Sequence, residues 1–116
     1  MILEPSGIMK VYIAVGVTDM RKSINGLSLL AQDHFELDLF SGNLFAFCNR
    51  KRDIVKILYW HENGFCIWMK RLEADIFRWP DSEQEVMEIS HAALGWLLHG
   101  LDVNHAHRHL DYGSAG

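Results

Sequence analysis

The sequence predicts an α+β domain: a mostly antiparallel sheet of four or five strands, one main helix packed on it and a short C-terminal helix. Three observations carry this. Short β-branched and aromatic runs alternate with turn residues. One long stretch repeats its apolar residues at helical spacing. A shorter stretch near the end does the same between a serine and a glycine.

Taken in order, Pro5-Ser6-Gly7 is a turn signal, and Lys10 to Val15 is a β-rich first strand ended by Gly16. Thr18 or Asp19 can cap a helix, because a short side-chain oxygen accepts from the free N–H groups of a first turn. Met20, Ile24, Leu27 and Ala31, with Leu30 and His34 adjoining, form one apolar stripe on a helix from about Asp19 to His34. Gly26 inside it costs about 1 kcal/mol against alanine, which implies a close approach or a bend. Phe40 to Asn43 is a turn and Leu44 to Cys48 a second strand. After a polar loop, Asn49 to Asp53, the runs Ile54 to His61 and Phe65 to Leu72 form a hairpin around Asn63-Gly64, a favoured type I′ pair. Asp75 to Trp79 reads as a short edge strand stopped by Pro80, and Asp81 to Glu88 as a polar, acidic stretch. Ser90 caps a helix through His99, with Ala93, Leu94, Leu97 and Leu98 as its stripe and Gly100 at its end.

The length fits one domain, residues 1–102, followed by a flexible histidine-rich tail, 103–116. No apolar run approaches the roughly 20 residues that span a bilayer, and the N-terminus has no signal-peptide pattern. Cys48 and Cys66 are therefore expected as reduced thiols in a cytoplasm. The net charge of −4 conceals a gradient. Residues 1–49 carry three basic and five acidic residues, residues 50–78 seven and four, and residues 79–116 one and six. The balance argues against non-specific coating of nucleic acid, but the middle segment opposes its flanks in sign.

With Asn63-Gly64 as a two-residue loop, Trp60 faces Ile67, Leu58 faces Met69 and Lys56 faces Arg71. On the other side Tyr59 faces Trp68, Val55 faces Leu72 and His61 faces Cys66. Like charges set directly opposite are destabilising. Lys56 and Arg71 must then splay into water or meet an anion, with Arg50, Lys51 and Arg52 at the same end. Two readings stand: a solvated end that keeps a sheet edge soluble, with Asp53, Glu73 or Asp75 as neutralisers, or a phosphate-contacting patch. Both hairpin faces are apolar. One helix covers one face; the other needs the C-terminal helix, a second subunit or another protein. Trp60, Trp68 and Tyr59 read as core, with base stacking the minority alternative.

No convergent catalytic set is legible. Gly16-Val17-Thr18 could bind phosphate at a helix start, but Asp19 already supplies negative charge there. Asp19, Asp53, Glu73 and Asp75 match no defensible Mg²⁺ arrangement, which makes a metal nuclease a remote alternative. Cys48 or Cys66 with a histidine is a nucleophile pair in outline only; buried inert thiols are the usual case. His105, His107 and His109 alternate in the tail and read as a polar tract rather than a metal site. No metal or cofactor is expected.

The ordered set Pro5-Ser6-Gly7, Val11-Tyr12, Thr18-Asp19-Met20-Arg21-Lys22-Ser23 and Gly26-Leu27 continues with Phe40-Ser41-Gly42, Leu44-Phe45 and the basic loop. Then follow Lys56 to Trp60, Asn63-Gly64, Lys70-Arg71-Leu72-Glu73, Phe77, Trp79-Pro80 and Leu97 to Asp102. As a whole it resembles the small accessory protein encoded by the second reading frame of insertion-sequence-66-type bacterial mobile elements, over about residues 3 to 102. The histidine-rich tail lies outside the pattern. The resemblance implies a non-enzymatic role in transposition beside a separate transposase, and it carries no established active site. The expected partners are DNA, such as the element's ends, and the transposase or a sibling accessory protein; the apolar faces leave a homodimer open. No membrane contact is expected. The candidate DNA-contacting residues are Arg50, Lys51, Arg52, Lys56, Lys70 and Arg71, with Arg21 and Lys22 as an extension of the patch. A protein–protein module without DNA contact is the alternative.

Overall fold

The structure, a computed structural model, describes residues 10–35 and 39–99. Five strands and two helices follow in the order β1 (Val11–Val17), α1 (Ile24–Phe35), β2 (Leu44–Cys48), β3 (Ile54–His61), β4 (Gly64–Arg71), β5 (Val86–Ile89) and α2 (His91–Leu98). The strands make one sheet in the order β4-β3-β2-β1-β5. Every pairing is antiparallel except β1 with β2. The α+β reading, with a mostly antiparallel sheet, holds. The turn Pro5-Ser6-Gly7, the helix-ending Gly100 and the histidine-rich tail lie outside the described residues.

Alternation along the strands sorts the apolar side chains into two cores. On one face Ala14, Phe45, Phe47 and Leu58 pack with Leu27 and Ala31 of α1. On the other, Val11, Ile13, Leu44, Ala46, Val55 and Ile57 meet Leu94, Leu97 and Leu98 of α2. The second apolar face is thus covered from within the chain. Fully burying one such leucine is worth about 1.5–3 kcal/mol, so α2 is held by its stripe rather than by its short backbone ladder. Ser90 starts α2 as expected, its side chain accepting from the Ala93 N–H at 3.0 Å.

Four expectations are corrected. First, the hairpin turns one residue earlier than Asn63-Gly64. His61 pairs with Gly64, Tyr59 with Cys66, Lys56 with Met69 and Ile54 with Arg71. The loop is Glu62-Asn63, and Glu62 takes φ 56°. Positive φ at the first loop position alone is the II′ pattern, which Asn63-Gly64 does not announce. Lys56 therefore does not oppose Arg71, nor His61 Cys66. The slip is by two in pairing, so each side chain keeps its predicted face.

Second, α1 begins at Ile24, not near Asp19, because Asp19 bonds to its own turn, as described below. Gly26 does meet a close neighbour: a Cβ there would lie 3.1 Å from Cβ of Lys22.

Third, Asp75 to Trp79 is not a strand. Phe77 and Trp79 are buried in the α2-side core, and the Trp79 indole N–H donates to the Ala14 carbonyl at 2.8 Å. The ladder position beside β1 belongs instead to Val86–Ile89, from the stretch read as polar and acidic. Its Glu88 is exposed while Ile89 is buried, so the period-2 signal was there but only four residues long.

Fourth, β1 runs two residues past Val15. Between Ile13↔Ala46 and Val17↔Cys48 it holds two more residues than β2, a bulge that includes Gly16.

The turn assignment has a direct check. Replacing Glu62 by glycine relieves a left-handed residue and is expected to stabilise the fold by about 0.5–1 kcal/mol in urea unfolding. A loss of stability would place the loop elsewhere.

Candidate nucleic-acid interface

Parallel strands point their carboxyl ends the same way. The single parallel pair therefore sets the segment after β1 beside the segment after β2, with the Thr18 N–H donating to the Cys48 carbonyl at 2.9 Å. β3 starts and β4 ends at this same edge. Residues from all four strand ends line an open groove of about 1040 Å³: Asp19, Arg21, Arg50, Lys51, Asp53 and Arg71 are its charged members. Carboxyl ends of parallel strands are a recurrent place for ligand sites, because loops from non-adjacent parts of the chain converge there.

Asn49 organises the β2–β3 loop. Its side-chain oxygen accepts from the N–H groups of Asp53 and Ile54, at 3.1 and 3.0 Å. Its amide nitrogen donates to the Asp53 carboxylate at 2.6 Å. Arg52 then adopts φ 62°. Its carbonyl accepts from the Phe77 N–H at 2.6 Å, and the Asp53 carbonyl from the Leu72 N–H at 2.8 Å. The loop is rigid by this count of internal bonds, and it presents Arg50 and Lys51 to solvent.

The six cations named from sequence divide into three groups. Arg50 and Lys51 are exposed, and among the described residues neither pairs with a carboxylate. Arg71 is paired with Glu73 at 3.1 Å. Arg52, Lys56 and Lys70 turn toward the protein. Arg52 is half-buried, and its Nη1 is buried without a hydrogen-bond partner. Lys56 donates to the carbonyls of Met20, at 2.7 Å, and Lys22, at 3.3 Å, pinning the turn ahead of α1. Lys70, on the opposite face, donates to the Leu98 carbonyl at 2.8 Å, capping the negative end of α2.

Arg21, named from sequence as an extension of the patch, also lines the groove. Its guanidinium grips both oxygens of Asp19, with Nη2 at 2.7 Å, and its backbone N–H also donates to Asp19 at 2.9 Å. The Arg21 guanidinium, followed by that N–H, holds the Asp19 carboxyl well below its usual value of 3.8. The pairing therefore persists above pH 4 and weakens only on strong acidification. The spacing Asp-Met-Arg is the signal for such a turn, since an Asp side chain reaches the N–H two residues on.

Asp19 and Asp53 line the groove but do not share a cation site. Among the described residues no three His, Cys, Asp or Glu side chains converge. Cys48 is buried, and burial pushes its thiol up; Cys66 is half-buried against Tyr59 rather than His61. Among the described residues no helix is long and apolar enough to cross a membrane.

The pattern of the family described as "IS66 Orf2 like protein" matches residues 9–108. The uncharacterized protein y4hO of Sinorhizobium fredii (strain NBRC 101917 / NGR234) is 39% identical over 102 residues, covering 87% of this chain and 89% of that protein. The uncharacterized protein y4jC of the same strain is 27% identical over 100 residues, covering 86% of each. No solved structure matches.

Two measurements check the site's framework. Lys56→Met should cost about 1.5–3 kcal/mol, the range for a hydrogen bond to a charged group, and speed amide exchange at residues 20–24. In the native protein a thiol reagent should modify Cys66 first and reach Cys48 only on unfolding.

Proposed function

The chain belongs to the family of IS66 Orf2-like proteins, accessory to insertion-sequence transposition, and on that premise we propose that it acts without catalysis by holding DNA in the groove at the carboxyl ends of β1 and β2. The observation that carries this reading is the pair Arg50 and Lys51. Both are exposed, both lack a carboxylate partner among the described residues, and both stand on a loop fixed by Asn49. Cations held in place on a rigid loop suit the phosphodiester backbone, which binds by charge and counterion release. Arg71 and Arg21 flank them. Lys56, Lys70 and Arg52 serve the fold, and Lys56 adds positive charge behind the turn.

A contact to the transposase or a sibling protein belongs to a different surface. Both sheet faces are covered by helices, while Asp81, Glu83 and Glu85 are exposed on the chain that returns to β5. The protein works in the cytoplasm, where the element's DNA and reduced thiols coexist.

Filter binding to the element's terminal DNA at two salt concentrations tests the main reading. Wild type should bind at low salt and lose affinity steeply as salt rises. Arg50→Ala/Lys51→Ala should bind weakly with a salt slope shallower by about two, one for each lost phosphate contact. Equal binding by wild type and variant, or none by wild type at low salt, would reject it.

A further inference from the structure

We propose that Asp19 and Glu73 occupy Arg21 and Arg71 as internal substitutes for phosphate, so that the groove gains two further arginine contacts only when a DNA backbone displaces them. This rests on the groove being the DNA site, and the experiment below separates the two claims. Arg21 Nε and Nη2 take both oxygens of Asp19 at 2.7–3.1 Å. That two-pronged geometry is the one a guanidinium uses on phosphate. Arg71 likewise places Nε and Nη2 on one oxygen of Glu73, at 3.3 and 3.1 Å.

Both pairs are open to water. The side-chain exposures are 92% for Arg21 and 43% for Asp19, and 61% for Arg71 and 77% for Glu73. Such pairs contribute little to stability, so exchange of partner is cheap. Lys56 and Lys70 differ. Moving either ammonium would strip a hydrogen bond from carbonyls beside a helix, so these two stay where they are. Asp19 also lines the groove mouth and repels phosphate until Arg21 is shared or withdrawn. The acids thus set a threshold: a sparse anion meets Arg50 and Lys51, whereas a continuous backbone can recruit all four cations.

The test is Asp19→Asn/Glu73→Gln in the full chain. Asparagine keeps an oxygen for the Arg21 N–H, so the turn survives while the charge goes. The variant should bind a short duplex several-fold more tightly than wild type at low salt, with the same salt slope, because a bound backbone meets the same four cations in both. In an Arg21→Ala background the gain from Asp19→Asn should vanish, the sign of a specific coupling. An equal gain in that background would show general charge removal and overturn the inference. If the variant binds like wild type while Arg50→Ala/Lys51→Ala abolishes binding, the inference fails and the DNA reading stands. If wild type fails to bind and only the variant binds, no backbone displaces the acids of the native chain, and both claims fall. If neither binds, both claims fall.

Discussion

The parallel pairing of β1 with β2 is the constraint from which the site follows. In an all-antiparallel meander, successive loops alternate between the two ends of a sheet. Here α1 returns the chain to the starting end, and β2 runs alongside β1. The loop carrying Arg21 and the loop carrying Arg50 and Lys51 then share one edge, although about thirty residues separate them. The Asn49 amide completes the arrangement. By filling the inside of the β2–β3 loop with its own hydrogen bonds, it leaves the basic side chains no inward role except at Arg52.

The cations are sorted by what their surroundings can offer. Carbonyls of the turn ahead of α1 draw in the flexible ammonium group of Lys56, and a last-turn carbonyl of α2, which has no N–H partner within the helix, draws in that of Lys70. The planar guanidinium groups of Arg21 and Arg71 find carboxylates two residues along the chain. Among the described residues, Arg50 and Lys51 bond to neither. A basic middle segment in an acidic chain is therefore not one patch, and its charge count overstates what an external anion can meet.

Much of the fold was legible because its signals are local. Strand β2 matches its run residue for residue, and α2 starts after its serine cap with the expected stripe buried. The failures are places where a distant contact overrides a local one. Asn63-Gly64 is a strong turn pair, yet apolar partners across β3 and β4 settle a register in which Glu62 carries the positive φ. Phe77 and Trp79 alternate like a strand, but their rings are taken by the core and the Trp79 indole by Ala14. Strand β5 hides between glutamates because an edge strand so short needs little apolar signal. Of the site, the basic loop was visible as charge. The bonding of Lys56, Lys70 and Arg21 depends on which carbonyls and carboxylates folding brings near, and one-dimensional spacing fixes only the last.

The neighbour of β1 on its outer side is β5, so among the described residues the first strand is completed by the last. The β3–β4 hairpin can close on its own within about 1–10 μs, but β1 keeps a bare edge until Ile89 has left the ribosome, and the sheet keeps a bare apolar face until α2 follows. Assembly of this small domain is in that sense post-translational in its final step. A chain cut short before Ile89 would carry the basic β2–β3 loop already made on a scaffold that cannot shut, a natural target for proteolysis.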